Sequence, residues 1–370
     1  MSAITVEQMR SKLLTVEQAQ QRLSLTEPLN RAMFTVGDSV RFEAQADFNH
    51  GLSAKVGNEP VGVWVTLNRK DRYQLTRDAL EETCQGFGFR REYTRDCPAD
   101  LLVPHMNYWY REGMFSARKG KDFQFMVNGG LAAAFTKQGS APFSNLALLD
   151  QALSSIEAKY GSVEVLVDHK FSHNLRRTRM RLVIPNAHQV LADTGTAGDV
   201  WSRGVQVDNS LTGTTQTKIE GYLFRWVCTN GQIDAQATTG VWTRRRDTSE
   251  AEVYDWARQA VDEALSGLDG AFDAVQRLTT IGIDGNLSDT LRDIFEHHRI
   301  PIQQRSKIIS VLETYEGEIT MYVIMNAITQ VANEEGMDPA AVDALLRVGG
   351  DMPYTADQRC GACHRLLHSH

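Results

Sequence analysis

The sequence contains no G-x-x-x-x-G-K-[ST] loop, no G-x-G-x-x-G after a strand pattern, no G-x-S-x-G and no H-E-x-x-H. These absences remove the motif-defined nucleotide-binding, serine-hydrolase and zinc-protease classes. Cysteine is scarce, with five in 370 residues, too few for a disulfide scaffold, so the thiols suit a reducing, cytoplasmic setting. No run of ~18 apolar residues occurs, so no membrane-spanning helix is expected. The opening Met1–Arg10 lacks a basic stretch followed by an apolar one, which reads against a secretory leader.

What is present is an ordinary globular composition, 42% hydrophobic and 23% charged, with a net charge of −7. That charge is unevenly placed. Residues 1–249 carry 30 Lys and Arg against 26 Asp and Glu, whereas residues 250–370 carry 9 against 20. An acidic second part behind a mildly basic first part suggests either different partners for the two or simply a soluble helical region.

Hydrophobic spacing predicts a helix over 5–23, then strands between Val40 and Leu67, where Val61, Val63, Val65 and Leu67 alternate with Gly62, Trp64 and Thr66. A helix follows over 75–84, started by Thr76 or Asp78. Residues 86–122 mix aromatics and cations without a clean period, including His105-Met-Asn-Tyr-Trp-Tyr-Arg111 and the cations Arg118, Lys119 and Lys121. Rings beside cations suit base stacking and phosphate contact, or a loop anchored by buried tyrosine and tryptophan. A helix capped by Ser144 runs over 144–159.

Two strands, about 162–170 and 175–184, read as a hairpin. Arg177, Arg179 and Arg181 fall on one face of the second strand, spaced by roughly 6.7 Å. His169, Lys170, His173 and Arg176 sit at the turn. A guanidinium row of this kind can track successive phosphates, or it can blunt a solvated edge.

The most distinctive wording spans 203–231. Asn230-Gly231 predicts a two-residue hairpin turn between strands 214–228 and 232–243. Tyr222, Phe224, Trp226 and Cys228 share one face and Leu223 and Val227 the other, which marks a central strand. Arg225 interrupts that core and requires a partner, and Gly221 is placed to mark a bulge. Arg244, Arg245 and Arg246 add a basic cluster after the hairpin. From Ser249 onward the period is helical: 250–277, 288–298, 302–315, 319–335 and 339–348.

Gly204-Val-Gln-Val-Asp-Asn-Ser-x-Thr-Gly213, Arg225-x-Val-Cys-Thr-Asn-Gly231 and the helix 321–332 resemble an uncharacterised phage and plasmid-like protein family, a domain of unknown function. The resemblance spans about 30–350. It implies a mobile-element source and brings no catalytic residues with it.

The tail holds Cys360-Gly-Ala-Cys363 followed by His364, His368 and His370. Cys360, Cys363, His368 and His370 form the candidate zinc set, with a bare tail or a redox dithiol as alternatives.

The expected fold is α+β: a mostly antiparallel sheet with packed helices over 35–248, preceded by a helical arm at 1–34. An all-helical acidic C-terminal region at 249–350 and a tail at 351–370 follow. The expected function is single-stranded nucleic-acid binding or annealing in phage or plasmid replication or recombination, without catalysis and as a homo-oligomer. The interface would comprise Lys170, Arg176, Arg177, Arg179, Arg181, Arg244, Arg245, Arg246, Arg118, Lys119 and Lys121. The alternative is a structural or host-interaction protein whose arginines pair with acids of its own or of a neighbouring subunit.

Overall fold

Hydrophobic alternation in two stretches of the chain produces two separate sheets. A computed structural model describes residues 10–11, 13–25, 30–34, 39–45, 54–56, 59–112, 123–137, 143–168, 172–173, 177–192, 199–210, 217–226, 230–242, 250–283, 286–334, 337 and 339–355. The fold is α+β, with both sheets mostly antiparallel and a run of helices at the C-terminal end. Among the described residues no helix is long and apolar enough to cross a membrane.

The first sheet contains β2 (Asn30–Phe34), β3 (Val40–Gln45), β4 (Ala54–Val56), β5 (Glu59–Leu67), β6 (Asp71–Leu75), β7 (Phe123–Asn128) and β8 (Leu131–Lys137). Its order is β2-β7-β8-β6-β5-β3, with β4 paired to β5. β6 and β8 run parallel, Gln74 opposite Leu131, and the chain between them supplies the covering helices. Val61, Val63, Val65 and Leu67 are buried, as their alternation predicts. They pack with α2 (Arg77–Phe87) and α4 (Ala99–Arg111), and the short α3 (Arg91–Asp96) lies between these two in sequence. Thr76 caps α2 by accepting from the Ala79 amide, and Gly88 ends it with φ of 89°, a conformation glycine adopts without a steric cost. The described part of the aromatic stretch, 86–112, is therefore largely helical: Phe87 is buried, Phe89, Trp109 and Tyr110 pack against the core, and Tyr93 and Tyr108 are exposed.

The second sheet contains β1 (Leu14–Thr15), β9 (Leu166–Val167), β10 (Ser172–His173), β11 (Thr178–Val190), β12 (Val200–Asn209), β13 (Thr217–Arg225) and β14 (Asn230–Trp242). Its order is β1-β9-β11-β12-β13-β14, with β10 paired to β11. Met180, Leu182, Val205, Val207 and Ile219 pack against α1 (Val16–Ser24), α5 (Asn145–Tyr160) and α6 (Glu250–Gly267). Val183, Tyr222, Phe224 and Trp226 belong to a second cluster with α7 (Ala271–Arg277), α8 (Leu287–His297), α9 (Ile302–Glu313), α10 (Met321–Ala332) and α11 (Pro339–Thr355). Helices thus cover both faces of this sheet. Each large apolar side chain buried between such layers contributes about 1.5–3 kcal/mol.

Several sequence expectations change here. The helix expected over 5–23 is interrupted in its described part: Arg10 is helical, Leu14–Thr15 form β1, and a helix starts again at Val16 behind Thr15, which forms a capping box with Gln18. The boundary expected at 248 separates elements that share one core, because β13 and α7–α11 pack in a single cluster. The hairpin turn is not at Asn230-Gly231. Arg225 pairs with Asn230 and Phe224 with Gly231, so both residues lie in β14. β13 is central, as its two apolar faces predict, and the β13–β14 register shifts between Glu220 and Tyr222, at Gly221.

Candidate functional site

β11 turns Arg177, Arg179 and Arg181 to one face, as alternation requires, but that face is covered. The register sets Asp208 opposite Arg179 and Gln206 opposite Arg181, with Glu220 next to Gln206 on β13. Arg179 is 5% exposed and Arg181 2%. Arg179 Nε donates to Asp208 Oδ1 at 3.0 Å, and Arg181 Nε donates to Gln206 Oε1 at 2.7 Å. Asp168 lies 3.6 Å from Arg181 and accepts from the Tyr222 hydroxyl at 3.1 Å. The Arg181 guanidinium also stands 5.3 Å from the Tyr222 ring centre.

Helix α11 closes the cluster from above. Asp343 pairs with Arg179, and lies 3.6 Å from Arg181 and 3.7 Å from Arg177. One turn later Arg347 donates to Glu220 Oε2 at 2.5 Å. Arg177, Arg179, Arg181 and Arg347 thus face Asp168, Asp208, Glu220 and Asp343, so the charges balance. Burial drives Arg181 toward its neutral form, but Tyr222 and the surrounding carboxylates more than offset this and hold it above its ordinary pKa. Burial also pushes Asp343 up, against the pull of Arg179. Tyr222 is raised far above the phenol range, by burial first and by Asp168 next.

This corrects the reading of the row as a phosphate track. Arg179 and Arg181 are enclosed and matched by the protein's own acids, and Arg177, although 39% exposed at its side chain, lies 3.2 Å from Asp208. The distinctive 204–210 wording is accounted for by the same network. An added Cβ at Gly204 would stand 2.1 Å from the Leu182 carbonyl oxygen. Gln206 and Asp208 face the arginines. Asn209 donates to the Phe143 carbonyl and the Asn145 side chain, at 2.8 and 2.7 Å, and accepts from Thr217, tying the strand to the start of α5.

Arg225 has the partner its position demands. Its Nε and Nη2 donate to the two oxygens of Asp199 at 2.7 and 2.6 Å, both side chains buried. The Tyr322 hydroxyl of α10 also donates to Asp199, and Trp201 Nε1 donates to that hydroxyl at 3.3 Å. Burial keeps Tyr322 protonated far above neutral pH.

A third arrangement lies on the helices that cover the first sheet. The buried carboxylate of Glu81 receives three guanidiniums through their Nε atoms: Arg95 at 2.9 Å, Arg91 at 3.5 Å and Arg77 at 3.6 Å. The arginines are 60% (Arg77), 58% (Arg91) and 49% (Arg95) exposed at their side chains, so three guanidiniums share one carboxylate at the surface. Glu92 and Asp96 act on Arg95 at longer range. Burial opposes ionisation of Glu81, but Arg95, Arg91 and Arg77 outweigh it and hold the carboxyl below its usual range. Beside this group a column of rings climbs from the core: Phe87 to Phe89 at 6.0 Å, then Phe89 to Trp109 and to Tyr93 at 5.8 and 5.4 Å. It ends on exposed Tyr93, stacked with His105 at 17° between planes and sharing a 2.6 Å hydrogen bond with its Nδ1. Tyr108, also exposed, carries the Arg111 guanidinium 5.9 Å from its ring centre.

Of the residues expected at an interface, the structure gathers Arg177, Arg179 and Arg181, with Arg179 and Arg181 inside the protein and Arg177 partly exposed at the end of the row. Lys170, Arg176, Arg118, Lys119, Lys121, Arg244, Arg245 and Arg246 lie outside the described residues, as do Cys360, Cys363, His368 and His370. Among the described residues no group of three or more His, Cys, Asp or Glu is placed to hold a metal. Sequence reasoning missed Asp208, Glu220 and Asp343 as partners of the row. Gln206 and Asp208, alternating on a neighbouring strand, were the available signal. The claw on Glu81 was visible only as Arg77 and Glu81 four apart, with Arg91 and Arg95 four apart in the next segment. The chain gave no match to protein-family models, to curated proteins or to solved structures.

Proposed function

We propose that the protein binds single-stranded nucleic acid without catalysis, through the α2–α4 surface that covers its first sheet. The observation that carries this reading is the trio Arg77, Arg91 and Arg95 on one buried glutamate, beside the exposed Tyr93–His105 stack and the Tyr108–Arg111 pair. Cations held by a shared carboxylate offer their outer nitrogens to phosphates, and flanking rings offer faces to bases. The resemblance to phage and plasmid-like proteins agrees with a role in replication or recombination, and strand annealing by a homo-oligomer is the specific version.

Three phosphate contacts to a single strand give a slope of about −2 in a plot of log affinity against log salt, at ~0.7 per contact. A labelled oligothymidylate followed by fluorescence anisotropy tests this. Arg91→Gln should lower the slope by about 0.7. Tyr108→Ala removes a half-exposed ring and should weaken binding by a stacking contribution of ~1–3 kcal/mol. If wild-type protein binds nothing at low salt, the reading fails.

The competing reading, a structural or interaction protein, is favoured by one observation: the four arginines at the sheet–α11 junction are matched by four of the protein's own carboxylates. It predicts no oligonucleotide binding at any salt concentration.

A further inference from the structure

Helices α8 and α9 are joined by only four residues, yet α9 packs chiefly against α10 rather than α8. The room left between them is a cleft of about 390 Å³. Its walls are apolar: Leu287, Leu291 and Phe295 of α8, Ile309 and Leu312 of α9, and Ile319 just beyond. The spacing of apolar residues explains the arrangement. Leu291, Ile294 and Phe295 are the buried apolar residues of α8, and Ile308 and Leu312 are those of α9. Ile309, one position on from Ile308, is left 39% exposed at the cleft.

One end of the cleft carries a cation with no acid to answer it. Arg305 lines the cleft, its guanidinium carbon 5.8 Å from the centre of the Phe295 ring. Its Nε donates to the Ile300 carbonyl at 2.6 Å and its Nη2 to the Phe295 carbonyl at 3.4 Å, which fixes the group at the C-terminal end of α8. Its Nη1 makes no hydrogen bond among the described residues and is not enclosed, so it is open to a solute. No carboxylate among the described residues pairs with Arg305, whereas Arg292, the other arginine at the cleft, lies 2.8 Å from Asp289. The acid of the cleft, Glu313, sits two helical turns further on, about 12 Å from Arg305 along the axis of α9.

The volume falls within the ~300–1,000 Å³ of small-molecule sites, which combine apolar walls with a few placed polar groups. A guanidinium held in place beside an apolar cleft, with one N–H group unspent, selects a solute with an apolar body and an anionic end. Leu287 to Phe295 spans about 12 Å of helix, the length of an extended chain of roughly eight to ten carbons. The geometry points to a binding site for an aliphatic monocarboxylate of about that length. Its carboxylate accepts from Arg305 Nη1, and its chain lies along Leu291, Ile309 and Leu312. The site belongs to α8 and α9 and does not depend on strand binding by the α2–α4 surface.

Full-length protein is titrated at neutral pH with hexanoate, octanoate and decanoate, below micelle formation, by calorimetry and saturation-transfer NMR. Octanol and octylamine serve as the neutral and cationic counterparts. Saturable binding of octanoate and decanoate is expected, tighter by roughly two- to fourfold for each added methylene. Octanol should bind at least about tenfold more weakly than octanoate, as for the loss of one charge-assisted hydrogen bond, and octylamine more weakly still. Arg305→Met should bring octanoate down to the level of octanol. Because Arg305 also ties two backbone carbonyls, Ile309→Glu is the second variant. Ile309 is partly exposed, so its replacement leaves folding intact, and a carboxylate set in the cleft should abolish octanoate binding. The inference is overturned if neither octanoate nor decanoate binds saturably up to about 10 mM, if octanol binds as tightly as octanoate, or if either folded variant binds like wild type. Sedimentation equilibrium without ligand tests the other occupant: self-association that disappears in Ile309→Glu means that a second copy fills the cleft, and refutes the assignment.

Discussion

The Arg225–Asp199 pair permits a test in which a second substitution should restore stability that the first removes. Asp199 is fully buried and receives two charge-assisted hydrogen bonds from Arg225 at 2.7 and 2.6 Å. Arg225→Met keeps most of the packing volume but leaves the carboxylate with Tyr322 as its remaining side-chain donor. A buried charge stripped of its partner loses about 3–5 kcal/mol. Replacing both residues, as Arg225→Met with Asp199→Leu, removes the orphaned charge, and buried pairs exchanged for apolar side chains are often neutral or better. The double variant should therefore be more stable than Arg225→Met alone by at least ~2 kcal/mol. The readout is the urea midpoint followed by fluorescence of Trp201 and Trp226, both buried beside the pair. The exposed pair Arg292–Asp289, 2.8 Å apart, is the control, and Arg292→Met should cost at most about 0.5 kcal/mol. If Arg225→Met costs less than ~1 kcal/mol, or if the two substitutions simply add, the pair behaves as a surface bridge and the reasoning is wrong.

Three further outcomes follow from the same structure. Gly204→Ala drives a Cβ to 2.1 Å from the Leu182 backbone oxygen, so β11 and β12 must separate; thermal denaturation should show a loss above ~3 kcal/mol, and a loss under ~1 kcal/mol would show that the strands yield easily. Burial, aided by His297, lowers His298 to about 4 in the folded protein, so the unfolded chain binds its proton first as pH falls; stability should decline between the ordinary histidine value of ~6.5 and about 4, by up to ~3 kcal/mol, a decline absent from His298→Phe in urea titrations at several pH values. Arg177→Ala, at the open end of the row, should lower the urea midpoint only slightly, whereas Arg179→Ala should cost about 3–5 kcal/mol by orphaning Asp208 and Asp343 in part; equal effects would contradict the burial gradient.

Local patterning made some parts of this fold readable. Val61 to Leu67 alternates, and its apolar members are buried. Ser144 and Thr76 cap helices, as their short hydroxyl side chains suggest. Tyr222 to Trp226 reads as a central strand and is one. What failed was non-local. Asn230-Gly231 has the composition of a tight turn, but pairing with Arg225 and Phe224 overrides local preference and draws both into β14. The arginine row could be placed on one face from spacing alone, yet whether that face met water depended on Asp208 across the strand and on Asp343 far along the chain. The claw on Glu81 joins two helices whose relative placement no period encodes.

The cover over the arginine row has a consequence in time. Arg179 and Asp343 are 164 residues apart in the chain, and Arg347 lies 127 residues beyond Glu220. During synthesis, β11, β12 and β13 emerge well before α11 exists, so one face of the second sheet waits with its buried charges incompletely matched and its apolar neighbours uncovered. Contacts this distant form late and slowly. The last helix therefore acts as a checkpoint on completeness: a chain interrupted before residue 339 retains the strands but lacks the part that lets them be enclosed.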